Sequence, residues 1–275
     1  MSRPGPLRLV IRAPNWLGDV VLSLPAVRDI RRAFPSARIS VAARPSVAAL
    51  YEAISEIDAV LEVPSLAAEI DALRRGFEVA ILFPNSLGTA LAALLGGVPE
   101  RWGYATQGRG IFLTRRTEIS PTVQGRSQVH YYRAMLSAMG VATSNAPDTS
   151  LTALTKWKES GRDLIGAGRF FGVAPGAAKG PAKQWPPERF AAAADQLSAE
   201  LGARAVLLGS LADKGPAQAV VQAMKAPSLN LCGRTDLRVF AGVMSCLEGL
   251  VANDSGAMHL GASLGIPTVG IFGPT

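Results

Sequence analysis

Apolar residues in this chain come in short runs, each closed by glycine, proline or polar residues. In the first half the runs are Leu7–Ile11, Ala37–Ala42, Ala59–Val63 and Val79–Phe83. In the second half they are Phe170–Ala174, Ala203–Leu208, Leu229–Cys232, Gly249–Ala252 and Thr268–Phe272. Each has the length of a buried strand. Between them apolar residues recur at helical spacing, as in Gln128–Met139, Pro187–Glu200, Asp213–Lys225, Leu237–Cys246 and Ser255–Leu264. Strand–helix alternation predicts parallel sheets covered on both faces.

The same grammar in both halves predicts an α/β chain of two Rossmann-like domains. The polar, proline-containing stretch Gly140–Asp163 is the natural join. The expected organisation is a first domain over 1–150, a linker over 151–168 and a second domain over 169–275, with a cleft between the two domains. In open α/β sheets ligands bind beyond the carboxyl ends of the strands, so the loops after each strand are where chemistry is expected.

Composition narrows the picture. With 275 residues, 48% of them hydrophobic, the chain is globular and long enough for two domains. The net charge of +7 suggests an anionic partner, or simply a basic surface. Cys232 and Cys246 make neither a disulfide framework nor a zinc site, which fits a reducing compartment. The N-terminal apolar stretch is interrupted by Arg12 and too short for a signal peptide. No run approaches the roughly 18 apolar residues of a membrane span. A cytoplasmic protein is expected.

Three loops carry candidate chemistry. After the first strand comes Ala13-Pro14-Asn15-Trp16-Leu17-Gly18-Asp19. Asp19 reads either as a helix N-cap or as a carboxylate able to take a proton from an attacking hydroxyl. Pro25 implies that the next helix starts near Ser23 or is kinked. The second loop runs from Ala174 to Pro187 and includes Gly176, Ala177, Lys179 and Lys183. Small residues, two lysines and a following helix suit an anion, although a solvated connector fits as well. It is not a Walker A loop, and Gly166–Gly172 misses the dinucleotide fingerprint, which disfavours an NAD-dependent oxidoreductase. The third loop is Asn253-Asp254-Ser255-Gly256, where Ser255 and Gly256 open a helix towards an anion and Asp254 orients the loop or bonds a hydroxyl. His259, one turn on, either faces the ligand or packs. A further stretch, Arg101 to Arg116, holds Arg101, Arg109, Arg115 and Arg116 without an acid, a pattern suited to carboxylate or phosphate.

Five motifs in order resemble one family: Pro14-Asn15-Trp16-Leu17-Gly18-Asp19; Phe83-Pro84-Asn85-Ser86; Pro175-Gly176 with Gly180-Pro181-Ala182-Lys183-Gln184-Trp185-Pro186; Asn253-Asp254-Ser255-Gly256-Ala257-Met258-His259; and Phe272-Gly273-Pro274-Thr275. Together they are similar to the ADP-heptose:lipopolysaccharide heptosyltransferases, most of all the type II enzymes. The resemblance implies a glycosyltransferase-B architecture. It implies inverting transfer of L-glycero-D-manno-heptose from ADP-heptose to the first heptose of the lipopolysaccharide inner core, on Kdo-lipid A. It implies that Asp19 is the general base. Gly176, Ala177, Lys183, Asp254, Ser255, Gly256 and His259 would line the donor. Asn15, Arg101, Arg109, Arg115 and Arg116 would meet the anionic acceptor. No metal or other cofactor is expected, since no Asp-x-Asp motif is present. The implied partners are a nucleotide sugar, the lipopolysaccharide-core acceptor and the cytoplasmic face of the inner membrane, docked peripherally; no nucleic acid is expected. The family's chains run on past Gly-Pro-Thr, so the second domain is expected to be incomplete. A related transferase with another nucleotide sugar or acceptor, or a non-catalytic donor-binding remnant, are the alternatives.

Overall fold

In the computed structural model, which describes residues 5–177 and 184–273, the chain divides into two compact units, residues 1–149 and 150–275. The first holds strands β1 (Arg8–Arg12), β2 (Arg38–Ala43), β3 (Ala59–Glu62), β4 (Val79–Leu82), β5 (Glu100–Tyr104) and β6 (Arg115–Thr117). Its helices are α1 (Leu17–Ala33), α2 (Pro45–Ala48), α3 (Leu66–Leu73), α4 (Leu87–Leu95) and α5 (Gln128–Ala138). All neighbouring strands pair in parallel, in the order β3-β2-β1-β4-β5-β6.

The second unit begins with α6 (Thr155–Ile165) and continues β7 (Phe170–Ala174), α7 (Pro187–Leu201), β8 (Arg204–Leu207) and α8 (Lys214–Ala223). It ends with β9 (Ser228–Asn230), α9 (Leu237–Met244), β10 (Leu250–Asn253), α10 (Gly256–Ser263) and β11 (Thr268–Ile271). Its sheet is parallel too, in the order β11-β10-β7-β8-β9. The central strands β4 and β7 are buried throughout, as expected of strands covered by helices on both faces. In each sheet the strand order reverses once, between β1 and β4 and between β7 and β10. That reversal leaves a crevice at the carboxyl edge, because the connections on its two sides run to opposite faces.

Two expectations are corrected, and of the two alternatives for Pro25 the later helix start is set aside. Helix α1 begins at Leu17, not near Ser23, and runs through Pro25. Pro25 cannot donate to the carbonyl of Val21, while the Ser23 hydroxyl donates to the Val20 carbonyl at 2.8 Å. The region 151–168 is not a bare linker. It contains α6, whose Trp157, Gly161 and Ile165 are buried at four-residue spacing and which packs on α9. Gly161 and Gly242 make that packing possible, since a Cβ on either would collide with the backbone of the other helix. The arginine-rich stretch is not an open loop but contributes β5 and β6 to the first sheet.

The two helices nearest the first-unit motif loops are locked together by charge. Asp29 of α1 is fully buried. Its Oδ2 accepts from Arg133 Nε of α5 at 2.8 Å, and its Oδ1 accepts from the Ser144 N–H at 3.0 Å and from Arg32. This clasp fixes how α1 sits along α5. Both cysteines are free thiols. Among the described residues no helix is long and apolar enough to cross a membrane.

Removing one partner of a buried pair leaves the other charge uncompensated, at a cost of about 3–5 kcal/mol. Asp29→Ala is therefore expected to lower the melting temperature sharply in a thermal-unfolding experiment. An unchanged transition would mean that the clasp contributes nothing.

Candidate active site

At the reversal of the first sheet, the loop after β1 is built on a buried arginine. Arg12, only 3% exposed, closes β1. Its Nη1 donates to the Ala13 carbonyl at 2.5 Å and its Nη2 to Asn15 Oδ1 at 3.0 Å. Its Nε lies 3.0 Å from Glu69 Oε1 of α3, with both side chains buried. The Nε–H is not aligned for a hydrogen bond, so the contact is an ion pair. Burial pushes the Glu69 carboxyl up, and the Arg12 charge opposes that.

Asp19 sits in the first turn of α1, half-buried. The N-cap position belongs to Trp16, and no side chain caps the helix. Asp19 is therefore not the N-cap. Its carboxylate lies where the helix dipole favours negative charge. Burial first, and then the Asp19 charge, push the phenol of Tyr132 on α5 up. Asp19 on α1 is thus near enough to Tyr132 on α5 for its charge to act on the phenol.

On the other side of the reversal, Pro84-Asn85-Ser86 follow β4. They are held by Arg109, which is 0% exposed. Arg109 Nε donates to the Tyr104 carbonyl at 2.8 Å, Nη1 to the Pro84 carbonyl, and Nη2 to Asn85 Oδ1 at 3.4 Å. A Cβ on Gly103 would stand 2.8 Å from Nη2, so glycine there makes room for the guanidinium. Asn85 in turn donates its amide to the Tyr131 hydroxyl.

The expected arginine cluster is corrected accordingly. Arg109 faces the protein interior, where burial lowers the pKa of its guanidinium. Arg101, half-buried, donates to the carbonyls of Phe112 and Val98, both at 2.6 Å. Arg115 lies 4.3 Å over the Trp102 ring and donates to the Met139 carbonyl. Arg116 donates to the Gly110 carbonyl at 3.1 Å. The physical reason is that turns around β5 and β6 leave carbonyls to satisfy, and guanidinium groups have five donors to give them. Arg115 and Arg116 remain exposed; Arg101 and Arg109 are scaffold.

At the reversal of the second sheet the polar loops follow β7 and β10. Lys183, like Lys179, lies outside the described residues. Gly176 precedes that gap, and a Cβ there would collide with the Asp213 carboxylate. Asp213 is fixed by the Ser210 N–H at 2.8 Å and hydroxyl at 2.7 Å. Ala177 is buried. Asn253, 0% exposed, joins both ends of the β7–α7 loop: Oδ1 accepts from the Trp185 N–H at 3.1 Å and Nδ2 donates to the Pro175 carbonyl at 2.7 Å.

Ser255 is the N-cap residue of α10, but its hydroxyl does not cap the helix. Its Oγ is buried and, among the described residues, has no hydrogen-bond partner. Gly256 follows, so no side chain covers the helix's first N–H groups, which have no intrahelical acceptor. A hydroxyl without a partner beside a helix N-terminus is a geometry able to take an anion. Asp254 donates its N–H to the Ile271 carbonyl, and its Oδ1 lies 3.9 Å from His259 Nε2. His259 therefore packs beside the loop through Asp254. A cavity of about 580 Å³ opens at the opposite, amino edge of β7 and β8, lined by Phe170, Ser198 and Arg204 among others. It is remote from these loops and lacks their converging polar groups.

Sequence reasoning missed Arg12, Glu69, Tyr132 and Asp213 as builders of the site. An arginine ending an otherwise apolar strand was the available signal for Arg12.

Two Rossmann-like sheets, each carrying polar loops at its strand-order reversal, are the α/β elements of the glycosyltransferase-B fold, and the enzyme class follows from the family. Residues 67–275 match the model of glycosyltransferase family 9 (heptosyltransferase), and the chain belongs to that family. It is 27% identical to lipopolysaccharide heptosyltransferase 2 of Salmonella typhimurium, over 98% of this chain and 83% of that protein. It is 25% identical to lipooligosaccharide heptosyltransferase 2 of Haemophilus influenzae, over 98% of this chain and 84% of that protein. Among solved structures it resembles that of Escherichia coli ADP-heptose lipopolysaccharide heptosyltransferase II, with a TM-score of 0.85, 25% identity, and 98% and 86% of the two chains covered.

The orphaned Ser255 hydroxyl gives this site a measurable signature. A buried polar group without a partner costs about 1–3 kcal/mol. Ser255→Ala is expected to raise the melting temperature of the ligand-free protein while weakening ADP binding in calorimetry. A lowered melting temperature with ADP affinity unchanged would show that the hydroxyl serves only the fold.

Proposed function

We propose that this protein transfers L-glycero-D-manno-heptose from ADP-heptose to the first heptose of the lipopolysaccharide inner core, inverting the anomeric centre. One observation carries the reading. The polar loops at both strand-order reversals supply complementary chemistry: a carboxylate at a helix start in the first unit, and a glycine-opened helix start with an orphaned hydroxyl in the second. The names of the relatives supply the sugar and the acceptor class.

In this mechanism the acceptor hydroxyl attacks the anomeric carbon of the donor as Asp19 takes its proton. The bond from that carbon to the diphosphate oxygen breaks, and its electron pair leaves with ADP. A carboxylate is a weak base towards a sugar hydroxyl, so the proton transfer is late in the reaction. The diphosphate is a good leaving group. The N–H groups of α10, Ser255, Gly176 and Lys183 stabilise its developing charge. Asp254 orients the loop or bonds a sugar hydroxyl, with His259 behind it. Asn15, Arg115 and Arg116 offer donors to the anionic acceptor. The acceptor is a lipid, so the reading includes peripheral contact with the cytoplasmic face of the inner membrane through basic residues. The positive charge supplied by the chain leaves no step that requires a metal.

General-base catalysis contributes about 10²–10⁴-fold. Asp19→Asn is expected to reduce transfer by that range while leaving ADP-heptose affinity within twofold; full activity of the variant would contradict the base assignment. Transfer is also expected to continue in excess EDTA, and loss that magnesium restores would contradict metal independence. Assay of a panel of nucleotide sugars tests the donor, since fold and phosphate loops do not fix the sugar.

A further inference from the structure

A guanidinium has donors and no acceptor. The side-chain oxygen of Asn15 therefore has to be the atom facing Arg12, and the 3.0 Å contact from Nη2 to Oδ1 shows it there. The amide nitrogen is on the opposite side of the same planar group. Asn15 is exposed, so its N–H₂ is turned outward, four residues before Asp19.

Arg12 is held in turn. One nitrogen donates to the Ala13 carbonyl, and Glu69 from α3 balances its charge at 3.0 Å. A buried guanidinium without that carboxylate would be uncompensated and would be driven towards solvent. Lysine could not replace it, because a single ammonium lacks the planar fork that spans Ala13, Asn15 and Glu69. Each link is short and buried, except for the last, which is the asparagine amide at the surface.

We propose that the Arg12–Glu69 pair is a positioning device that sets the Asn15 amide, so that its N–H₂ is presented as the hook for an oxygen of the anionic acceptor. The inference rests on the acceptor reading of the first unit and adds a residue that fixes acceptor recognition without touching the acceptor. Arg12 and Glu69 act through Asn15. Asn15 is the group that meets the substrate.

The test exchanges a donor for an acceptor at one atom. Asn15→Asp preserves an oxygen against Arg12, with added charge, and replaces the outward N–H₂ with an oxygen that repels an anionic acceptor. Its melting temperature should equal or exceed that of the wild type. Its acceptor KM should rise by about tenfold or more, with donor KM and kcat at saturating acceptor within twofold. Arg12→Lys should raise acceptor KM as well, and the double substitution should add nothing to Asn15→Asp, because both act through one contact. The inference is overturned if Asn15→Asp leaves acceptor KM unchanged, if donor KM rises equally, or if the two effects multiply independently. If Arg12→Lys does not fold, Asn15→Asp alone decides. Direct binding of a Kdo-bearing, short-chain acceptor to the same variants gives the comparison without turnover. Failure of catalysis by Asp19 and failure of the Asn15 hook are thereby read separately.

Discussion

A guanidinium taken out of water must find acceptors for its donors, whether carbonyls, side-chain oxygens or a carboxylate, or it will not stay buried. Among its described residues the first unit buries three of them: Arg12, Arg109 and Arg133. Each solves the problem by binding a segment that would otherwise be loose. Arg12 holds the loop after β1 against α3. Arg109 gathers the carbonyls of Tyr104 and Pro84 and the Asn85 amide, tying the loop after β4 to the β5 end. Arg133 draws α5 onto α1 through Asp29. The motif loops on both sides of the strand-order reversal are thus held by buried guanidinium groups, and Asp19 is carried on a helix whose position is set by the same means.

The second unit meets the same demand with neutral groups. Asn253 alone spans the two ends of the β7–α7 loop, donating to Pro175 and accepting from Trp185. Glycine at 176 lets the backbone pass Asp213, which Ser210 fixes. At the loop after β10 the Ser255 hydroxyl is left without a partner among the described residues, as are Trp157 Nε1 and Ser198 Oγ elsewhere in the unit. A protein satisfies its buried polar atoms nearly everywhere.

The fold was legible wherever apolar runs were uninterrupted. Leu9-Val10-Ile11 and Val79–Leu82 announced central strands because parallel strands are covered on both faces. β5 and β6 were hidden, because Glu100-Arg101-Trp102 and Arg115-Arg116-Thr117 carry charge where a strand usually carries Val or Ile. Helix α6 was hidden for a related reason: Thr155-Lys156-Trp157-Lys158-Glu159 reads as polar linker until Gly161 and Gly242 are seen back to back. In the candidate site, the polar loops after β1, β4, β7 and β10 were legible from their position after strands. The role of each arginine was not, since a sequence shows a charge but not whether carbonyls surround it. Arg101 and Arg109 looked like ligand contacts and are structural; Arg12 looked incidental and anchors the Asn15 loop.

The central claim is group transfer with inversion. Its most direct test is to incubate the protein with ADP-heptose and the inner-core acceptor, and to follow ADP release together with the product's anomeric configuration by NMR. The account predicts equal amounts of ADP and of a new heptosyl linkage whose configuration is opposite to that of the donor. ADP released without a linkage, or a linkage that retains the donor's configuration, would contradict it.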